Sequence, residues 1–505
     1  MPSAENSDEE MWAELDEAQG PRRAEILLEL ADRSYHRDDM SQFATLVEAA
    51  AEAAEASDDH RLAAFARFNQ AQGLMETDHP AEAIDHFLQA ATFFTLLGDQ
   101  DDIALCHHRA ADALALLDRA DEALAHWDDA LRLYEAEADE HSIGRVKMAI
   151  GGLRMSTGSP SLAVEAFQEA RDRFRRTHSP HHVAWADDAA AEGLIQQGRP
   201  AEAVPLLRSC LDIARVGSDD SARAYAALRL GLVLRILGDH TEALAHLKSA
   251  RDDYQGDDNL MGVARCDLEA ANALRALDES EEAETLYIGA RSVFDAVGAD
   301  DYLLLADRMR ATLYSEQGRT AEAVGLARAT LGRAHELGQN RIVNPLVPLI
   351  ADDLLDLDDA TSALEVIEAN PVTGGELDEM ERAIRDAVTA RALLANGRVP
   401  EALALTEQAL AITEARPNLA LQAALYELRS RARRDNDPAL ADRDLAHAIA
   451  LFLAAGMSER ATALSGHFLP DEQPSSVRRE DLFALRGLTR PLLDDPLRTP
   501  GSSAE

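Results

Sequence analysis

The sequence predicts an all-α fold, an α-solenoid of about ten to eleven stacked helix hairpins. Three observations carry this prediction. Ala83, Ala123, Ala163, Ala203, Ala243, Ala283, Ala323 and Ala363 stand forty residues apart without slippage, Phe43 extends the series backwards, and Ala402 continues it after one deletion. Twelve residues before these anchors, at Ala31, Ala71, Ala111, Gly151, Ala191, Gly231, Ala271, Ala311, Ala351 and Ala390, only alanine or glycine occurs. Five residues before them, from Asp38 to Gly397, only aspartate or glycine occurs. Self-similarity at such a period marks stacked repeats, in which each unit completes its core only against its neighbours.

Each phase has a physical purpose. A position confined to the two smallest side chains is one where helices touch closely. Glycine adopts positive φ freely and aspartate bonds its own backbone, so the aspartate/glycine phase ends one helix and turns into the next. Pro80, Pro160 and Pro200 share a phase that suits a first helical turn. Small residues return seven positions after the anchor (Ala50, Ala90, Ala130, Ala170, Cys210, Ala250, Ala290), and large ones eleven after it (Phe94, Tyr134, Phe174, Tyr254, Phe294). Each repeat is therefore helix, tight turn, helix, with alternating small and bulky layers. Between Ser221 and Asp253 the unit is plainest. Leu228, Leu230, Leu232, Val233, Leu234, Ile236 and Leu237 predict a helix buried on most sides, Gly238-Asp239 breaks it, and Thr241 is placed to cap a second helix carrying Ala243, Leu244, Leu247 and Ala250.

Along the chain, residues 1–20 form an acidic N-terminus expected to be flexible apart from a turn near Trp12, and residues 21–469 hold the hairpins. Pro345, Pro348, Asn370 and Pro371 at helical phases predict a shortened or kinked eighth full copy. A degenerate eleventh copy runs from Leu419 to Ala455, with Asn436 at its turn and Ala441 as anchor. Residues 470–505 change to proline, serine and arginine around Leu482, Phe483, Leu485, Leu488, Leu492 and Leu493. That tail has room for one short helix, and it either caps the last hairpin or folds on a partner.

The order of small residue, turn glycine, Glu-Ala and small residue resembles the tetratricopeptide repeat (TPR) family from about Arg22 to Gly456. Repeats of that family run about 34 residues, and HEAT and armadillo repeats roughly 40 to 47, but the spacing within the helix pair matches the former. The extra residues fit longer helices and links such as Leu97-Gly98-Asp99 and Val297-Gly298-Ala299, which resemble the longer units of kinesin light chains and bacterial regulators. The resemblance implies a right-handed superhelix whose first helices line a concave groove where ligands bind. It implies a non-catalytic scaffold or adaptor holding a peptide or protein partner. Two alternatives stand beside it: a peptide-sensing regulator acting on a separate effector chain, and an acidic chaperone for a basic client.

Charge bears on the same question. The 92 acidic residues outnumber the 49 basic ones, for a net charge of −43. Part of the excess is in phase: Glu82, Glu122, Glu202, Glu242, Glu282, Glu322 and Glu401 precede their anchors in a first turn, where they complement the helix dipole. The rest is solvated surface, which favours a soluble monomer. Nucleic acid and anionic membranes both need clustered Lys and Arg, so neither is expected as a partner. The sequence has no apolar run of about 18 residues and no charged-then-apolar start, so the expectation is a cytoplasmic chain without membrane span or signal peptide. Cys106, Cys210 and Cys266 fall at core phases and cannot make a disulfide framework.

Catalytic motifs are missing. No glycine-rich loop precedes Lys-Ser or Lys-Thr, and neither HExxH nor a paired-cysteine motif occurs. The neighbours in His107-His108 and in His181-His182 point about 100° apart on a helix and cannot chelate as residues at i and i+4 would. His86, His126 and His246 share one phase and read as exposed, and Trp127 shares the core phase of Phe87 and Phe167. No enzyme, cofactor or metal is expected. The first-helix phases eighteen, fifteen, eleven and eight before the anchor carry no common residue, as a variable binding wall would. Early repeats offer Phe65, Phe68, Met75, Met148, Met155 and Trp185 there, an adaptable apolar set. Middle repeats offer Arg235, Arg265, Asn272, Arg275 and Arg308, donors suited to carboxylate or phosphate. The competing reading pairs these donors with Asp267, Glu269 and Asp307.

Overall fold

From Gly20 to Ala360 a helix begins at every twentieth residue. Chain reversals set this beat. Residues such as Asp58, Asp78, Gly98, Asp118, Ala138, Gly158 and His178 all hold positive φ, and so do their equivalents as far as Asp358. The next residue donates its N–H back into the finished helix, as Asp99 does to the Phe94 carbonyl at 3.1 Å. The computed structural model describes residues 8–37, 39–372 and 377–465. Among these residues there are twenty-four helices and no strand. Asp38 and the tail from 470 to 505 lie outside the described residues.

All of these reversals but Ala138, His178 and Ser218 carry the aspartate or glycine signature. Those inside hairpins are the aspartate/glycine phase, whereas those between hairpins include Ala138, His178 and Ser218 at φ 53–57°. An alanine held left-handed costs about 1–2 kcal/mol, part of which glycine gives back as backbone entropy. Ala138→Gly is therefore expected to raise stability by about 0.5–1 kcal/mol, read as a higher urea midpoint.

The chain divides into two compact units, residues 1–218 and 219–505. In the first, α1 (Asp8–Glu17) precedes five hairpins: α2 (Gly20–Tyr35) with α3 (Met40–Ala56), α4 (His60–Glu76) with α5 (Pro80–Leu97), α6 (Gln100–Leu116) with α7 (Ala120–Glu137), α8 (Glu140–Ser156) with α9 (Pro160–Arg176), and α10 (Pro180–Gln196) with α11 (Pro200–Gly217). In the second, six hairpins follow: α12 (Asp220–Ile236) with α13 (His240–Gly256), α14 (Leu260–Ala276) with α15 (Ser280–Val297), α16 (Asp300–Glu316) with α17 (Thr320–Glu336), α18 (Asn340–Asp356) with α19 (Ala360–Ala369), α20 (Glu379–Ala395) with α21 (Val399–Ala415), and α22 (Leu419–Arg433) with α23 (Pro438–Ala454), closed by α24 (Ser458–Ser465).

Helix starts follow two patterns. Asp59, Asp139, Asp219 and Asn259 cap first helices, each side chain accepting from a backbone N–H of the opening turn at 2.8–3.1 Å. Four second helices instead place an arginine at the N-cap, whose guanidinium grips a glutamate three residues on: Arg119 with Glu122, Arg199 with Glu202, Arg319 with Glu322, and Arg398 with Glu401. These are four of the in-phase glutamates, and the arginine hydrogen bonds hold their carboxyls below the usual range. Asp39, Asp359 and Asp437 cap α3, α19 and α23 with their side chains. Thr241 is not a cap. Helix α13 starts earlier, at His240, with Asp239 as N-cap and no side-chain capping bond.

Small and large side chains interlock in both units. The anchor alanines are fully buried. In the first unit the Phe167 ring lies where a Cβ on Gly151 would sit, 2.3 Å from Cε1, and Phe174 fills the space beside Gly144 in the same way. In the second, Leu247 covers Gly231 and Tyr254 covers Gly262. Burying each such side chain contributes about 2 kcal/mol. A polar contact also repeats in phase, from a second helix to the next first helix: Arg171 with Asp187 at 3.7 Å in the first unit, then Arg251 with Asp267 at 2.6 Å and Arg291 with Asp307 at 3.1 Å in the second. Cys106, Cys210 and Cys266 are buried and free, and burial pushes the Cys106 and Cys266 thiols up to about 12.

The N-terminus differs from expectation, and the eighth full copy is shortened as expected, but in its second helix. The N-terminus is helical over Asp8–Glu17, because Met11 and Leu15 bury against Ile26, Leu27 and Leu30 while Arg33 and Arg37 hold Asp8. In the eighth full copy, α18 runs its full 17 residues through Pro345 and Pro348, and the shortening falls on α19, which ends after 10 residues ahead of Asn370-Pro371. Among the described residues no helix is long and apolar enough to cross a membrane.

Candidate interaction surface

The first helices form the inner side of each unit. Successive first helices approach each other, α2 to α4 and α6 to α8 in the first unit and α12 through α22 in the second, while second helices make no comparable approach. Hairpins that crowd on one side splay on the other, so the first-helix side is the concave one.

In the first unit this wall is open. Phe65, Phe68 and Met75 on α4 are half-buried, with Phe65 edge-on to Phe94 and Phe68 edge-on to Phe87, both at 5.4 Å between ring centres. Each ring thus rests on the core and shows its outer edge. Trp185 on α10 is 48% exposed. It borders a cluster of His182, His141 and Phe174, whose rings lie 4.6–4.9 Å from His182. Burial, with His141 and Arg145 nearby, keeps His182 below its ordinary pKa and so neutral at neutral pH. Met155 is half-buried, whereas Met148 belongs to the core. Asp112 on α6 is pinned at this wall: the Trp127 indole donates to it at 3.1 Å, with His108 at 3.7 Å and Arg109 at 3.6 Å.

In the second unit the same wall is closed by its own side chains. Arg235 of α12 donates to Glu269 of α14 at 2.7 Å, and Arg275 of α14 pairs with Glu316 of α16. The Ser315 hydroxyl of α16 donates to Asp353 of α18 at 2.5 Å, and Arg391 of α20 reaches back to Asp352 and Asp356. Asn272 is 7% exposed and accepts from the Tyr287 hydroxyl at 2.7 Å, and Arg308 is 1% exposed. Arg265 is half-buried, with its guanidinium 5.9 Å from the Tyr302 ring centre. Of the three acids expected as partners, Glu269 takes Arg235, while Asp267 and Asp307 take Arg251 and Arg291 from the preceding second helices.

One cluster has no forerunner in the sequence reading. His126 is half-buried rather than exposed, and it faces His107 across the α6–α7 hairpin with Asp129 beside it. The spacing rule compares histidines on one helix, whereas this pair comes from two.

Stacked helix hairpins with one variable inner wall define the class of helical repeat arrays. A tetratricopeptide repeat family model matches residues 182–256, within helices α10 to α13, and helix hairpins of the same kind continue on either side of that match. Comparison with curated protein sequences gave no match. Among solved structures, the apo form of RapI aligns with a TM-score of 0.51 at 12% identity, over 68% of this chain and 95% of that one. The apo form of the quorum sensor NprR from B. thuringiensis aligns at 0.47 and 12% identity, over 72% and 98%. A kinesin light chain assignment from Podosopora anserina, with nearly identical TPR-like repeats, aligns at 0.27 and 19% identity, over 49% and 99%. At such identities the RapI likeness speaks to the fold alone, and the two below 0.5 add nothing to it.

Proposed function

We infer that this protein is a non-catalytic interaction scaffold that holds a peptide or protein segment on the inner wall of its first unit. The observation that carries the reading is the half-exposed apolar row of Phe65, Phe68, Met75 and Trp185 on first helices. Rigid aromatic edges supply contact area at low entropic cost, and thioethers adapt to the partner's shape. The partner's anchors are accordingly apolar. Arg235, Asn272 and Arg275 act as structural ties of the second unit, Arg308 is buried within it, and Arg265, over Tyr302, is the donor of that stripe left for an auxiliary contact.

The test is affinity capture from the source cell with the wild type and with Phe68→Glu/Trp185→Glu. The wild type is expected to retain a partner that the double variant, folded by circular dichroism, loses at least tenfold. Equal recovery contradicts the reading. Apolar anchoring should weaken little between low and physiological salt, whereas a collapse of binding over that range would favour the acidic chaperone. A peptide-sensing regulator would bind a short peptide at this wall and change its affinity for a second chain.

A further inference from the structure

His107 on α6 and His126 on α7 stack with 5.2 Å between ring centres and 24° between planes, and their Nδ1 atoms lie 3.0 Å apart. Asp129, one turn beyond His126, brings Oδ2 to 4.0 Å from the same His126 nitrogen. One ligand atom from each of the three residues fits within 4.8 Å of the others. Two imidazole nitrogens this close must share a proton or a cation, since two bare lone pairs repel. Tetrahedral zinc with Zn–N bonds of about 2.0–2.1 Å sets its nitrogens about 3.3 Å apart, so the pair needs to open by only a few tenths of an ångström.

The surroundings favour the cation. Arg132 holds the other oxygen of Asp129, leaving Oδ2 toward the histidines, as outer partners of ligating carboxylates do. All three residues are half-buried, fixed by the hairpin yet within reach of solvent. The neighbouring Cys106 is fully buried in the core. The same two phases hold Arg67 and His86, Lys147 and Ala166, and Asp187 and Leu206 in the other hairpins of the first unit that follow α3, and Ala227 and His246 in the next, so the paired imidazoles belong to this hairpin.

We propose that His107, His126 and Asp129 bind a divalent transition-metal ion of the zinc or nickel class, water completing its coordination, and that the ion cross-links α6 to α7. Imidazole with one carboxylate suits these ions and not magnesium. The test uses the full chain, stripped with chelator and dialysed, titrated calorimetrically with Zn²⁺ and Ni²⁺, with Mg²⁺ as control. The wild type is expected to bind one Zn²⁺ per chain with a raised Tm. His126→Gln and Asp129→Asn should each weaken binding at least tenfold and abolish the Tm shift, while His86→Gln should match the wild type. If His126→Gln unfolds without metal, Asp129→Asn decides alone. No zinc binding by the wild type, or equal affinity in the wild type and the variants, overturns the site.

Discussion

Gly151→Leu is expected to lower the unfolding free energy by about 3 kcal/mol, at the upper end of what overpacking costs. The first added carbon would lie 2.3 Å from Phe167 Cε1 and 2.6 Å from its Cδ1. That ring is itself buried, so it has nowhere to turn. Gly152, the next residue on the same helix, has nothing within 4 Å of its would-be Cβ. Leucine there should stabilise by up to about 1 kcal/mol through helix propensity alone. Opposite signs at adjacent glycines separate packing from composition. In the second unit Gly231→Leu should behave like Gly151→Leu, because a Cβ there meets Leu247 Cγ at 2.7 Å and the Ala243 carbonyl at 3.2 Å. Repeats unfold with their neighbours, so hydrogen exchange over α8 and α9 should report the Gly151 loss together with the urea midpoint.

Glu269→Ala is expected to cost about 3 kcal/mol, because it removes the buried partner of the half-buried Arg235. The carboxylate takes the Arg235 guanidinium at 2.7 Å and the Asn272 amide at 3.4 Å, and Asn272 in turn accepts from the Tyr287 hydroxyl. The expected effect is therefore larger than for the exposed Arg–Glu pairs at the second-helix starts, where removal should cost well under about 1 kcal/mol. Replacing both partners, Arg235→Met with Glu269→Leu, should recover most of the loss. Urea unfolding of the two single variants and the double variant checks this. A Glu269→Ala variant as stable as the wild type would mean that the second unit's wall is held by something other than these ties.

The hairpins were legible because stacking forces the same steric demand to recur. A close helix contact admits only alanine or glycine, so ten such positions in register, from Ala31 to Ala390, show the architecture before any coordinates. The reversals between hairpins were partly hidden, since Ala138, His178 and Ser218 take left-handed backbone without the residue types that favour it. The inner wall was legible in position but not in state. Periodicity places Arg235, Arg275 and Arg308 on first helices, yet whether an arginine faces a partner or a neighbouring glutamate depends on how closely successive first helices approach. The Arg–Asp pairs of Arg171, Arg251 and Arg291 were readable in principle, because donor and acceptor recur sixteen residues apart in three copies. The histidine pair was not, because its partners sit on different helices.

Hydroxyl-radical footprinting of the full chain in solution tests most directly the contrast between an open first-unit wall and a self-tied second-unit wall. Trp185, Phe68 and Met75 are expected to be oxidised rapidly, and Met309, Tyr287 and Phe294 to be protected. Slow labelling of Trp185 and Phe68 together with rapid labelling of Met309 and Tyr287 would contradict the account.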